Sequence, residues 1–118
     1  MFKFETLDIW KRSIKFATKT YQITSKFPKE ENFNLTSQLK RASVSISLNI
    51  AEGSARKSKI DFKRFIQIAR GSLNEVVTCL YIAVEQKYIN QEDFKIMYSE
   101  CEEISRMLQG FIKFLDQE

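Results

Sequence analysis

An all-α, antiparallel up-and-down four-helix bundle, built from the whole chain (1–118) as one domain, is the architecture this sequence calls for. Only three Gly and one Pro, Pro28, punctuate 118 residues, too few turn formers for a many-stranded β fold. Apolar residues make up 43% of the chain and include 10 Phe, well above the disordered range. These apolar residues recur at helical spacing in four long segments joined by short polar breaks.

The first helix is expected over about 7–26, with Thr6 or Asp8 as its N-cap. At roughly 100° per residue, Leu7, Trp10, Ile14, Ala17 and Tyr21 share the face assigned to the core. "KFPKEENFN" ends it, because the residue before a proline is pushed out of the α region. The second helix is expected over about 35–55, with Leu35, Leu39, Ala42, Ile46 and Ile50 in line and Gly53 and Ser54 marking a frayed end. Ser58 then caps a third helix, about 59–87, with Asp61 in a capping-box-like position. Its core face reads Phe62, Phe65, Ile66, Ala69, Leu73, Val76, Leu80 and Val84. Asn90 is the N-cap of the fourth helix, about 91–116, where a wide stripe runs from Phe94 through Met97, Cys101, Ile104 and Leu108 to Leu115.

The helices carry more apolar surface than one bundle core needs. Phe2, Ile9, Phe16 and Ile23 recur every seven residues, about 100° or more from the Trp10 face. Val44 and Leu48 add a similar excess on the second helix. A second apolar stripe on a bundle helix is an exposed patch or an interface. These six residues are therefore the expected contact surface for further copies of the chain.

A polar stripe lies on the second helix as well. Gln38, Arg41, Ser45, Asn49 and Glu52 fall within roughly 80° of arc and are flanked by apolar residues on both sides. Lys40, Ser43, Ser47 and Ser54 sit opposite, where solvent is expected. The stripe is expected to be at least partly buried and hydrogen-bonded. Folding back around residue 57 sets Arg41 near residue 73. This makes Glu75 its expected ion-pair partner, with Gly71 and Ser72 allowing close approach, and leaves Glu52 to Arg56.

Charge is unevenly distributed. Residues 1–70 hold 15 Lys/Arg against 6 Asp/Glu, and residues 71–118 hold 4 against 9, with a net +4 overall. The basic residues cluster as Arg56, Lys57, Lys59, Lys63, Arg64 and Arg70, and along the first helix as Lys11, Arg12, Lys15, Lys19 and Lys26. Both clusters are candidates for a nucleic-acid backbone, although a charged face is usually just a solvated one. No stacking aromatics are interleaved, and no helix-turn-helix or RNA-recognition signature is present, so sequence-specific reading is not supported.

Chemistry is more sharply bounded. The chain has no histidine, which removes Ser-His and Cys-His nucleophile systems and His metal sites. Neither GxGxxG nor GxxxxGK[ST] occurs, and Glu100, Glu102 and Glu103 lack the inward ExxH pattern of di-metal bundles. No enzyme, cofactor or metal is expected. There is no run of about 18 apolar residues to span a membrane, and "MFKFETLDIW" lacks the apolar run of a signal peptide. A cytoplasmic location and reduced thiols at Cys79 and Cys101 follow as expectations.

The stretch "FPKEENFNLTSQLKRASVSISLNIAEGSARKSKIDFKRFIQIARGSLNEV" resembles the four-helix-bundle family that includes proteins encoded in intervening sequences of bacterial 23S ribosomal RNA genes, together with the accessory variability determinants of diversity-generating retroelements. "LDIWKRSIKFATKTYQITSKFP" fits its first helix and "ISRMLQGFIKFL" its last; the most specific pieces are Gln38–Arg41, "SISLNIAEG" and "ARGSLNE". The resemblance implies a homopentamer shaped as a ring with a central channel. In the retroelement branch it further implies a basic ring that associates with nucleic acid and a reverse transcriptase. The expected function is a non-enzymatic, self-assembling protein that binds RNA or DNA backbones weakly. The alternative is a protein-binding adaptor, for a partner such as a reverse transcriptase, that makes no nucleic-acid contact.

Overall fold

A computed structural model describes residues 1–117. A 3₁₀ turn over Lys3–Thr6 leads into α1 (Asp8–Thr24); a second one over Lys29–Glu31 precedes α2 (Leu35–Ser54), and α3 (Lys59–Glu85) and α4 (Gln91–Asp116) complete the chain. Each helix packs against its neighbours in sequence, α4 returns to α1, and the diagonal pairs α1–α3 and α2–α4 lie farther apart, around one shared core. The result is an all-helical four-helix arrangement measuring 47 × 22 × 21 Å, close to the roughly 40 Å length of a 27-residue helix. No helix among the described residues is long and apolar enough to cross a membrane.

Local chemistry sets the helix ends. The α1 cap is Leu7, which supplies no side-chain bond, and regular helix stops at Thr24, two residues short of the expected end. Buried Phe27 then turns inward and packs its ring 5.6 Å from that of Tyr88. Asn34, at the start of α2, makes no side-chain cap; instead the Leu35 N–H donates to the Glu31 carboxylate, which also accepts from the Tyr88 hydroxyl. Ser58 and Asn90 cap α3 and α4, accepting from the backbone N–H groups of Asp61 (3.1 Å) and Asp93 (2.7 Å). The end of α3 is a Schellman turn: Tyr88 N–H reaches the Ala83 carbonyl and Lys87 N–H that of Val84, with Lys87 at φ 64°.

Leu35, Leu39, Ala42, Ile46 and Ile50 of α2 are all buried, as their spacing predicts. On α3 the expected face is buried except for Phe65 and Val84, which are half-buried. The first helix is rotated relative to the sequence reading. Ile9, Phe16 and Ile23, assigned to an interface with other copies, are core residues (4%, 1% and 8% exposed), while Ile14 and Tyr21 face outward. Phe2 is exposed and stacks on Phe4.

The reason for this rotation lies between α1 and α2. Ser13, Thr20 and Thr24 accompany the Ile9–Phe16–Ile23 row, and Ser43, Ser47 and Ser54 occupy the flank of α2 away from α3; all six are buried. Each hydroxyl donates to a carbonyl of its own helix, for example Ser13 to Trp10 (2.7 Å) and Ser47 to Val44 (2.8 Å). A hydroxyl satisfied in this way needs no water. The serines of α2 expected in solvent therefore form a small-residue seam instead. Thr36 is the exception, its buried hydroxyl without a hydrogen-bond partner among the described residues.

Close approach of α2 and α3 occurs at Gly53, not at Gly71. A Cβ on Gly53 would lie 2.8 Å from the Phe62 ring and 2.9 Å from the Phe65 Cβ, whereas one on Gly71 would meet nothing within 4 Å. Gly53 is thus a packing residue rather than a frayed end. Gly53→Ala lowers stability by about 1–3 kcal/mol through overpacking, whereas Gly71→Ala raises it by up to about 1 kcal/mol through helix propensity. Urea denaturation of the two variants checks both signs.

Candidate functional site

Three surfaces hold the residues singled out in the sequence, and the fold does not merge them. The first is the outer face of α2 and α3. The polar stripe lies here, yet Gln38, Arg41 and Glu52 are exposed, with Ser45 and Asn49 half-buried. The expected partial burial holds for Ser45 and Asn49 and fails for Gln38, Arg41 and Glu52, while Ser43, Ser47 and Ser54, expected in solvent on the other flank, are buried. Ser45 binds across to α3, accepting at Oγ from the Ser72 hydroxyl (2.9 Å), while Asn49 Nδ2 donates within α2 to the Ser45 carbonyl (2.8 Å) and hydroxyl (3.0 Å). The expected Arg41–Glu75 bridge is absent; both residues are exposed, and neither forms an ion pair among the described residues. Leu48 and Ile68 lie on the same face, 62% and 47% exposed, beside half-buried Val44. At one end of this face, Glu31, Gln38, Cys79 and Tyr88 help line a cavity of about 450 Å³.

The second surface is the α2–α3 turn. Here most of the expected cations have local partners: Arg56 pairs with Glu52 (3.4 Å), Arg64 with Asp61 (3.5 Å) and Lys63 with Asp116 (2.8 Å). Lys59 donates to the Gln117 carbonyl (3.0 Å) and Arg70 to the Gln67 side chain (3.3 Å), while Lys57 is exposed in the turn. Sequence reasoning missed what lies beneath. The guanidinium carbons of Arg56 and Arg64 sit 4.6 and 5.5 Å from the centre of the Phe65 ring. Residue spacing gave only a weak signal for this, because Phe65 was read as core.

The third surface is the seam between α1 and α4, where the two helices meet over a shorter stretch than the other neighbouring pairs. Lys11, Lys15 and Lys19 are exposed one helical turn apart and form no ion pair among the described residues. Lys15 and Lys19 line a cavity of about 480 Å³ with Gln22 and Glu100. Arg12 does not join them as a free cation; it makes a two-pronged contact with Glu100 of α4. That hydrogen bond holds the Glu100 carboxyl below its usual range, against the opposing effect of partial burial, and raises the Arg12 pKa. The lysines of α1 and the cations of α3 sit on helices that make no close backbone contact with each other.

The thiols are free: Cys101 is buried and Cys79 half-buried. Burial pushes the Cys101 pKa up to about 12 and raises that of Cys79, the opposite of what a reactive thiolate requires. Among the described residues no group of three His, Cys, Asp or Glu side chains could hold a metal ion.

Fold and surfaces together define a small all-helical bundle protein with its charge spread over separate faces. The family model described as 23S rRNA-intervening sequence protein matches residues 5–110, and the chain belongs to that family. The crystal structure of a protein of unknown function from the S23 ribosomal protein family of Bacteroides thetaiotaomicron is similar, with a TM-score of 0.80 and 26% identity. The match covers 89% of this chain and 98% of that one. A search of curated proteins returns no match.

Among the described residues the Arg12–Glu100 pair is the one charged tie across the α1–α4 seam, and its pH dependence follows from the direction of the shift. A carboxyl lowered on folding contributes stability above its unfolded pKa, about 4.3, and loses it as pH falls through the lower folded value. Glu100→Gln therefore costs about 1 kcal/mol at pH 7, the upper end for a half-exposed pair, and nothing once pH is below both values. Urea denaturation of both chains across that range reads the convergence.

Proposed function

We propose that this chain is a non-catalytic assembly protein whose copies meet through the outer face of α2 and α3. The assembled particle, ring-like and pentameric as the family resemblance implies, holds RNA or DNA backbones loosely on its basic flanks. One observation carries the assembly reading: Leu48 and Ile68 lie exposed on a face where Arg41 and Glu75 carry opposite charges and have no ion-pair partner among the described residues. Apolar contact inside a rim of complementary charge is what an association surface needs. Arg41 of one copy and Glu75 of the next can satisfy each other. The interface so described retains Val44 and Leu48 from the expected set and omits Ile9, Phe16 and Ile23, which the core occupies.

Phosphate binding rests on the free lysines of α1. Lys11, Lys15 and Lys19 project at intervals of about 6 Å along the helix. Several copies in one particle multiply a term that is independent of sequence and weakens with salt.

Sedimentation velocity at micromolar concentration tests the assembly. The wild type is expected at a multiple of 13.9 kDa. Arg41→Glu disperses it, and adding Glu75→Arg in the same chain restores it. A wild type that sediments as a 13.9 kDa monomer, or an assembly indifferent to Arg41→Glu and Leu48→Asp, overturns the reading.

A further inference from the structure

Phe65 packs its Cβ near Gly53, where a side chain on α2 would collide with it, so its position is fixed by a close contact between α2 and α3. Over its ring lie the guanidiniums of Arg56, from the turn, and Arg64, from the preceding residue of α3. The carboxylates of Glu52 and Asp61 hold them only at 3.4 and 3.5 Å, beyond a close charge-assisted hydrogen bond. Half-exposed ion pairs of this kind are weak and exchange readily for another anion. The two side chains remain 41% and 65% exposed, and the Lys57 side chain is exposed in the same turn.

Guanidiniums anchored on an aromatic ring are planar, weakly hydrated and already ordered. That is the surface on which an unpaired nucleobase stacks while neighbouring cations take its phosphates. A duplex keeps its base faces stacked inside and offers this site only phosphates and groove edges. We infer that the α2–α3 turn, through Arg56, Arg64 and Phe65, is a binding site for unpaired nucleic acid, with bases stacking on the guanidiniums. The inference rests on the nucleic-acid part of the proposed function and deepens it. It assigns single strands to the turn and leaves sequence-blind phosphate binding to the lysines of α1.

The test is fluorescence anisotropy with labelled oligoadenylate and a nucleic-acid duplex of equal length, at one low salt concentration. The wild type binds oligoadenylate more tightly than duplex. The Arg56→Lys/Arg64→Lys variant keeps every charge and loses about tenfold on oligoadenylate, with duplex binding unchanged. Circular dichroism and sedimentation verify that the variant folds and assembles. Phe65→Leu, which keeps an apolar side chain beside Gly53, provides the same readout if the double variant does not fold. Equal affinity of wild type and double variant for oligoadenylate overturns the site. So does a wild type that binds duplex as tightly as single strand, which leaves the backbone reading standing; a wild type that holds neither probe sinks that reading as well. Polyglutamate that displaces oligoadenylate from the wild type at equal charge assigns the turn to an acidic protein surface and likewise overturns it.

Discussion

The contact of Gly53 with Phe62 and Phe65 sets the distance between α2 and α3, and most of the molecule's surface chemistry follows from that distance. Any side chain at residue 53 would push α3 away at the turn. With the helices this close, Ser72 and Ser45 come within hydrogen-bond reach farther along. The two outer faces then merge into one surface, where Leu48, Ile68, Arg41 and Glu75 stand together. The same contact fixes Phe65, and Phe65 in turn orders Arg56 and Arg64. A single small residue thus shapes both the proposed assembly face and the cationic turn.

The other side of the bundle is held differently. Between α1 and α2 a row of hydroxyl residues packs with each hydroxyl returned to its own helix, so the seam is close without cross-helix bonds. Between α1 and α4 the contact is shorter, and Arg12–Glu100 ties the helices across it. The lysines there form no ion pair among the described residues, and Glu100, which lines a cavity with Lys15 and Lys19, is already engaged by Arg12. At the turn the reverse holds: there are more cations, and most are partnered. Counting charges along the chain ranks the turn as the stronger phosphate surface, whereas counting unpaired charges ranks α1.

Four helices, the caps at Ser58 and Asn90, and the core rows of α2 and α3 were legible from residue type and spacing, because one apolar row dominated each of those two helices. The inward face of the first helix was not, because it carries two competing apolar rows. Leu7–Trp10–Ile14 looked better filled than Ile9–Phe16–Ile23, which is broken by Ser13 and Thr20. Hydroxyls that satisfy themselves count as polar in a sequence and nearly as apolar in a packed seam, and this reversed both the first helix and the serine flank of the second.

Amphipathic periodicity, the scarcity of turn formers and the absence of histidine by themselves determined an all-helical chain without His-based chemistry, since these depend on residue type and spacing alone. Which apolar row of α1 faces inward, whether Arg41 meets Glu75, and which cations remain free were decided only by the tertiary structure. Each is a matter of helix rotation and separation by a few ångströms. Those distances are set by neighbours far away in sequence: Gly53 against Phe62 and Phe65, Ser45 against Ser72, and Arg12 against Glu100.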